Sequence, residues 1–93
     1  MSDFVQITTT TAERADAERI ATALVEAQLA ACVQVGGPVT SVYRWQGEVA
    51  TATEWRLDAK THREKFTAVE QLIDQLHPYD VPEIIATEIV TGS

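Results

Sequence analysis

At 93 residues, 45% hydrophobic and 23% charged, the chain has the size and composition of one small globular domain spanning 1–93. Its formal net charge of −7, with Lys and Arg scattered along the chain, argues against nucleic acid as a partner, because phosphate binding needs a basic surface. One cysteine excludes an internal disulfide, no apolar run approaches the roughly 20 residues of a membrane span, and Met1-Ser2-Asp3-Phe4 lacks the basic start of a signal peptide. A cytoplasmic protein with no membrane partner is expected, and a core this small gains from association between copies.

Phe4 to Thr9 reads as a strand, with Val5 and Ile7 on one face and Gln6 and Thr8 on the other, and the threonines close it. Thr10-x-x-Glu13 matches a capping box, so a helix is expected to begin there. Ala17, Ile20, Ala21, Leu24 and Gln28 trace its apolar face, and the alanines let it lie close on a sheet. Ala31 to Gly36 returns to strand character, Gly37-Pro38 reads as a bend or bulge, and Val39 to Trp45 resumes the strand.

Gln46-Gly47 closes a hairpin whose second arm, Glu48 to Lys60, alternates Trp55, Leu57 and Ala59 against Glu54, Arg56, Asp58 and Lys60. Arms this long overrun the core of one small protomer, which points to contact with another subunit near Tyr43 and Trp45. Thr61-x-x-Glu64 repeats the capping pattern, and Phe66, Val69, Leu72, Ile73 and Leu76 line a second amphipathic helix stopped by His77-Pro78. Ile84 to Val90 reads as the last strand. The order β-α-β-β-α-β predicts a ferredoxin-like α+β sandwich, an antiparallel sheet with both helices on one face.

Leu29-Ala30-Ala31-Cys32-Val33, Ser41-Val42-Tyr43-Arg44-Trp45-x-Gly47, Glu54-Trp55, Lys60-Thr61 and His77-Pro78-Tyr79-x-x-Pro82-Glu83-Ile84-Ile85 carry a resemblance. Together, in order and spacing over nearly the whole chain, they resemble the CutA family of divalent-cation tolerance proteins. The resemblance implies a tight homotrimer similar to the PII signalling proteins, a cytoplasmic setting, a link to copper tolerance, and binding of divalent metal ions. Family members run on past the last strand into a segment that helps cover the trimer, whereas this sequence ends at Ser93, which leaves that edge less covered.

Three residues are candidate metal ligands for copper or another divalent ion. Cys32 reads first as a buried small residue and second as a thiolate for a soft metal. His77, at a helix C-terminus where the backbone turns outward, offers an imidazole, and Glu83 an oxygen beside it. Asp80 could contribute as well, although a proline-held solvated turn accounts for both carboxylates. Some family members carry a cysteine at the position of Thr9 and a histidine at that of Leu76, so a site built on that trio is reduced here to His77. His62 is expected to meet only solvent.

Lys60, at a strand end beside a helix start, suits an anion, and the resemblance places Tyr43, Trp45 and Tyr79 near it in a cleft between subunits. The plainer reading gives Lys60 a salt bridge to Glu54 or Asp58. No nucleophile elbow, phosphate loop or acid–base pair occurs, so an enzyme is not expected. Three functions stay open: the first is a non-catalytic divalent-cation tolerance protein, and the second a PII-like module binding a small anionic metabolite. A trimer that scaffolds another protein is the third.

Overall fold

Alternation along two paired strands decides which way the sheet faces. In a computed structural model describing residues 3–93, strand β1 (Phe4–Thr11) pairs antiparallel with β3 (Glu48–His62), so that Val5 lies opposite Thr61, Ile7 opposite Ala59 and Thr9 opposite Leu57. These side chains share one face and are buried. Against them pack α1 (Arg14–Glu26) through Ala17, Ile20 and Leu24, and α2 (Phe66–Leu76) through Val69 and Ile73. Each fully buried Leu or Ile contributes about 1.5–3 kcal/mol of burial. Strand β2 (Cys32–Trp45) lies outside β3 and β4 (Ile85–Glu88) outside β1, giving the order β2-β3-β1-β4. This is the ferredoxin-like α+β arrangement, with both expected helical faces turned onto the sheet. Among the described residues no helix is long and apolar enough to cross a membrane. Met1 and Ser2, part of the start read for targeting, lie outside the described residues.

The hairpin follows the expected plan. Gln46 and Gly47 adopt φ of 51° and 81°, the left-handed pair of a tight two-residue turn. The register between β2 and β3 shifts between Gly36 and Val39, which is the bulge read from Gly37-Pro38. Gly37 has φ 139°, and a Cβ there would meet Trp55 Cε3 at 3.1 Å and the Glu54 carbonyl oxygen at 3.2 Å. Beyond the bulge, β1 no longer accompanies the pair: β1 ends against Trp55, while β2 and β3 pair alone from Val39–Glu54 to Trp45–Glu48.

Local signals fail where strand pairing competes with them. Neither capping box forms. Thr10 and Thr11 stay in β1, which runs two residues further than expected, and α1 starts after Glu13 without a side-chain cap. Thr61 stays in β3, which runs to His62, and donates its hydroxyl to the Leu29 carbonyl at 2.6 Å. A 3-10 turn at Arg63–Lys65 then precedes α2. His62 is therefore a strand residue, and its ring packs on Phe4 with centroids 4.6 Å apart, so it meets more than solvent. The last strand is shorter than Ile84 to Val90, covering Ile85–Glu88.

Helix ends are closed from a distance instead. Gln28 at φ 60° terminates α1, with Leu29 N–H donating to Leu24 O and Gln28 N–H to Val25 O, both at 3.0 Å. Gln28 thus lies past the helix rather than on its apolar face. Lys65 Nζ adds a bond to the Gln28 carbonyl, and Arg19 of α1 donates to the Leu76 carbonyl of α2.

Candidate functional site

The sheet face away from the helices carries the polar chemistry. Its register places Gln6, Thr8 and Thr10 of β1 beside Lys60, Asp58 and Arg56 of β3, with Cys32, Gln34 and Gly36 beyond them on β2. Asp58 is the hub at this end. Thr8 donates to it at 2.6 Å, Gln6 at 3.4 Å, and Arg56 Nε bridges both its oxygens at 3.1 and 3.2 Å. Lys60 meets Gln34 Oε1 at 3.3 Å, so the salt bridge expected with Glu54 or Asp58 does not form. Both carboxylates are held by other donors.

Cys32 is exposed, against the reading that it packs as a small buried residue. It opens an edge strand and shares the parity of Gln34 on the uncovered face, whereas Val33 and Val35 turn toward the helices.

His77 is buried instead of turning outward. Pro78 ends α2, and the chain folds the ring back onto β1. Its Nδ1 accepts the Tyr79 backbone N–H at 3.1 Å, which leaves the proton on Nε2 to be donated to the Thr10 carbonyl at 2.7 Å. Both nitrogens thus fasten the end of α2 to β1. Thr9, on the helix side next to that anchor, is fully buried with a hydroxyl that has no hydrogen-bond partner.

The segment after His77 carries Tyr79 to a second hub, Glu54. Tyr79 Oη donates to Glu54 Oε2 at 2.7 Å, and Thr10 Oγ1 donates to the same oxygen at 3.3 Å. Partial burial opposes the charge on Glu54, but hydrogen bonds from Ser41, Tyr79 and Thr10 outweigh it, and the neighbouring His77 ring acts in the same direction. The Glu54 carboxyl is held below its ordinary value. Tyr79 is pushed up to about 12, by burial first, then by the bond to Glu54 and its charge, then by Tyr43.

Around this hub lies a cleft of about 840 Å³. Ser41 sits opposite Ala52 and Tyr43 opposite Ala50, so small side chains lie across from Ser41 and Tyr43. Tyr43 and Trp45 line it with Tyr79, Asp80, Val81 and Glu83, and Glu54 lies beside Thr10 within. Of the residues expected in a ligand cleft, Tyr43, Trp45 and Tyr79 come together. Lys60 does not join them, being opposite Gln6 at the far end of the same face. Glu83, expected as a metal ligand, belongs to this cleft, while Cys32 lies opposite Lys60. Among the described residues no three His, Cys, Asp or Glu side chains are grouped to hold a metal ion, so His77, Cys32 and Glu83 do not form a ligand set within one protomer. Glu54 is the site residue the sequence reading leaves out, having placed it as a polar strand position, in the Glu54-Trp55 segment and as a salt-bridge partner for Lys60.

Comparison with known proteins gives a consistent picture. A family model described as CutA1 divalent ion tolerance protein matches residues 5–93. A divalent-cation tolerance protein CutA of Thermus thermophilus is 45% identical over 93 residues, covering 100% of this chain and 88% of that protein. The crystal structure of CutA1, described as a stable protein, from the psychrotrophic Shewanella sp. SIB1 superposes with a TM-score of 0.94 at 45% identity, over 98% of this chain and 85% of that one. A CutA structure from Archaeoglobus fulgidus, described as a periplasmic divalent cation tolerance protein, gives 0.92 at 38% identity, over 97% and 87%.

Proposed function

The chain belongs to the CutA1 divalent ion tolerance family, and on that premise we propose that it is a non-catalytic divalent-cation tolerance protein that binds copper or a similar ion as a homotrimer in the cytoplasm. The observation that carries this reading is the family match over residues 5–93. Two physical features support it. The chain is acidic, at −7, which favours cations near its surface. The paired arm from Val39 to Glu54 exposes Val42, Trp45 and Val49 by 66, 63 and 71%, an apolar surface suited to another copy.

The donors available to a metal are unequal. His77 would have to release the Tyr79 N–H before its Nδ1 could ligate. Cys32 and Glu83 are exposed and lie in different parts of the protomer. With no three-ligand group among the described residues of one protomer, the metal is held where subunits meet, with Cys32 or Glu83 of one chain and the corresponding donors of its neighbours. Native mass spectrometry with and without a slight excess of Cu(II) tests this directly. A trimer that takes up a fixed integer number of coppers, reduced in Cys32→Ala or Glu83→Gln, supports the reading. A smear of weakly held adducts on every variant would overturn metal holding. His77→Ala is expected to leave the stoichiometry unchanged while lowering thermal stability. The alternative of a small anionic metabolite in the cleft has less support, because Lys60 lies outside it and three carboxylates lie within.

A further inference from the structure

The helix side of β4 is left partly bare. Its register against β1 gives Ala86 and Glu88 the parity of Ile7 and Val5, which are buried beneath the helices. Ile84, just before β4, packs against that core, yet Ala86 and Glu88 are exposed. α1 lies over β2 and β3, and α2 buries Val69 and Ile73, which leaves Ala86 of the outermost strand open. A groove of about 380 Å³ runs there, with the carboxylates of Glu70, Asp74 and Asp80 and the apolar surface of Val81, Pro82 and Ile84. Asp80 and Val81 also border the Tyr43 cleft and form the ridge between the two. Glu70, Asp74, Pro82 and Ile84 do not line that cleft, and none belongs to the arm.

Charge complementarity decides the occupant. Among the described residues the carboxylates of Glu70, Asp74 and Asp80 have no hydrogen bond or ion pair. Each of the seven Lys and Arg side chains is engaged elsewhere, four with carboxylates and three with carbonyl oxygens. A second copy, with the same cations committed, could neutralise the groove only by breaking one of those contacts. Glu70 and Asp74 are one helical turn apart, with Cβ atoms roughly 5–6 Å from each other. A small inorganic cation gains from the carboxylates alone. A peptide with Lys or Arg on either side of an apolar residue gains from both parts, since its apolar side chain covers Pro82 and Ile84. We infer that this groove docks a basic, partly apolar segment of another protein, its cations on Glu70 and Asp74 and its apolar side chains on Pro82 and Ile84. The net charge of −7 draws such a segment in from solvent. The inference is independent of where metal binds.

The probe is a fluorescein-labelled peptide repeating Lys-Leu-Ala-Lys, read by anisotropy at physiological salt. One control peptide carries Glu in place of Lys, and another Ser in place of Leu and Ala. Saturable binding of the Lys-Leu-Ala-Lys peptide is expected, weakened about tenfold in Glu70→Gln with Asp74→Asn. It should be unchanged in Glu18→Gln with Glu26→Gln, which removes the same charge from exposed positions of α1. Asp74 is exposed, so Asp74→Asn alone remains informative if the pair fails to fold. Equal loss in both pairs, equal binding of the Ser or Glu peptide, displacement by equimolar spermidine, or no saturation would each overturn the inference. So would a change in sedimentation of the Glu70→Gln, Asp74→Asn chain, which would make the groove a contact between copies.

Discussion

The same two strands run through two unlike regions of this molecule. Below the bulge at Gly37, β3 pairs on both sides and lies under two helices, and Leu57 and Ala59 are fully buried. Above it, β2 and β3 pair only with each other, and Val42, Trp45 and Val49 lie open. The difference is not in β-branched content, since valines occur in both, at Val33 and Val35 below and at Val39, Val42 and Val49 above. It lies in what covers them. Val, Tyr and Trp on this uncovered arm are what the proposed trimer would cover.

Substitutions can break that contrast. Leu57→Ala should cost about 2–5 kcal/mol of unfolding free energy, because the cavity lies between sheet and helices and has little room to collapse. Val42→Ser with Val49→Ser should change protomer stability by only about 0.5 kcal/mol each while shifting the proposed trimer toward smaller species. Denaturant unfolding and sedimentation velocity, run on both variants, would separate the two effects. If the arm pair unfolds as badly as the core variant, the two regions are not distinct.

The Glu54–Tyr79 pair stitches the arm's base to the segment after α2, and pH tests it. Because the Glu54 carboxyl is lowered in the fold, its contribution to stability is present above the ordinary carboxylate value and lost as pH falls through the lowered one. Tyr79 acts at the other end of the scale: raised to about 12, it contributes below the ordinary phenol value near 10 and is lost as pH climbs from there toward 12. Tyr79→Phe should flatten the alkaline loss and weaken the acid one in thermal melts across pH. Unchanged profiles would mean the hydrogen bond holds nothing.

Smaller effects sharpen the covered side. Thr9→Val removes a buried hydroxyl that has no hydrogen-bond partner at nearly constant shape, and should stabilise by about 1 kcal/mol. Gln28→Gly, at φ 60°, should stabilise by up to about 1 kcal/mol by relieving a left-handed backbone. Both are read from chemical denaturation midpoints.

Much of this was legible in sequence. The helical spacing of Ile20 and Leu24 and of Val69 and Ile73, the alternation through Leu57 and Ala59, and the Gly37-Pro38 bulge all describe local periodicities that the fold keeps. The capping boxes were not, because Thr10 and Thr61 had two possible partners. Long-range ladder pairing took them, and nothing within four residues announces that. Cys32 could have been placed: its alternation with Val33 marks the uncovered face, a signal outweighed by the general tendency of cysteine to be buried. The inward turn of His77 and the meeting of Tyr79 with Glu54 join residues 67 and 25 positions apart, for which a single sequence gives no signal.

The central claim is that the arm completes its packing on other copies of this chain. Sedimentation equilibrium of the unmodified protein across micromolar concentrations tests it most directly. The account predicts one species at three times the 10.2 kDa chain mass, converted toward single chains by Val42→Ser with Val49→Ser. A stable monomer at every concentration, with the arm still folded, would contradict it.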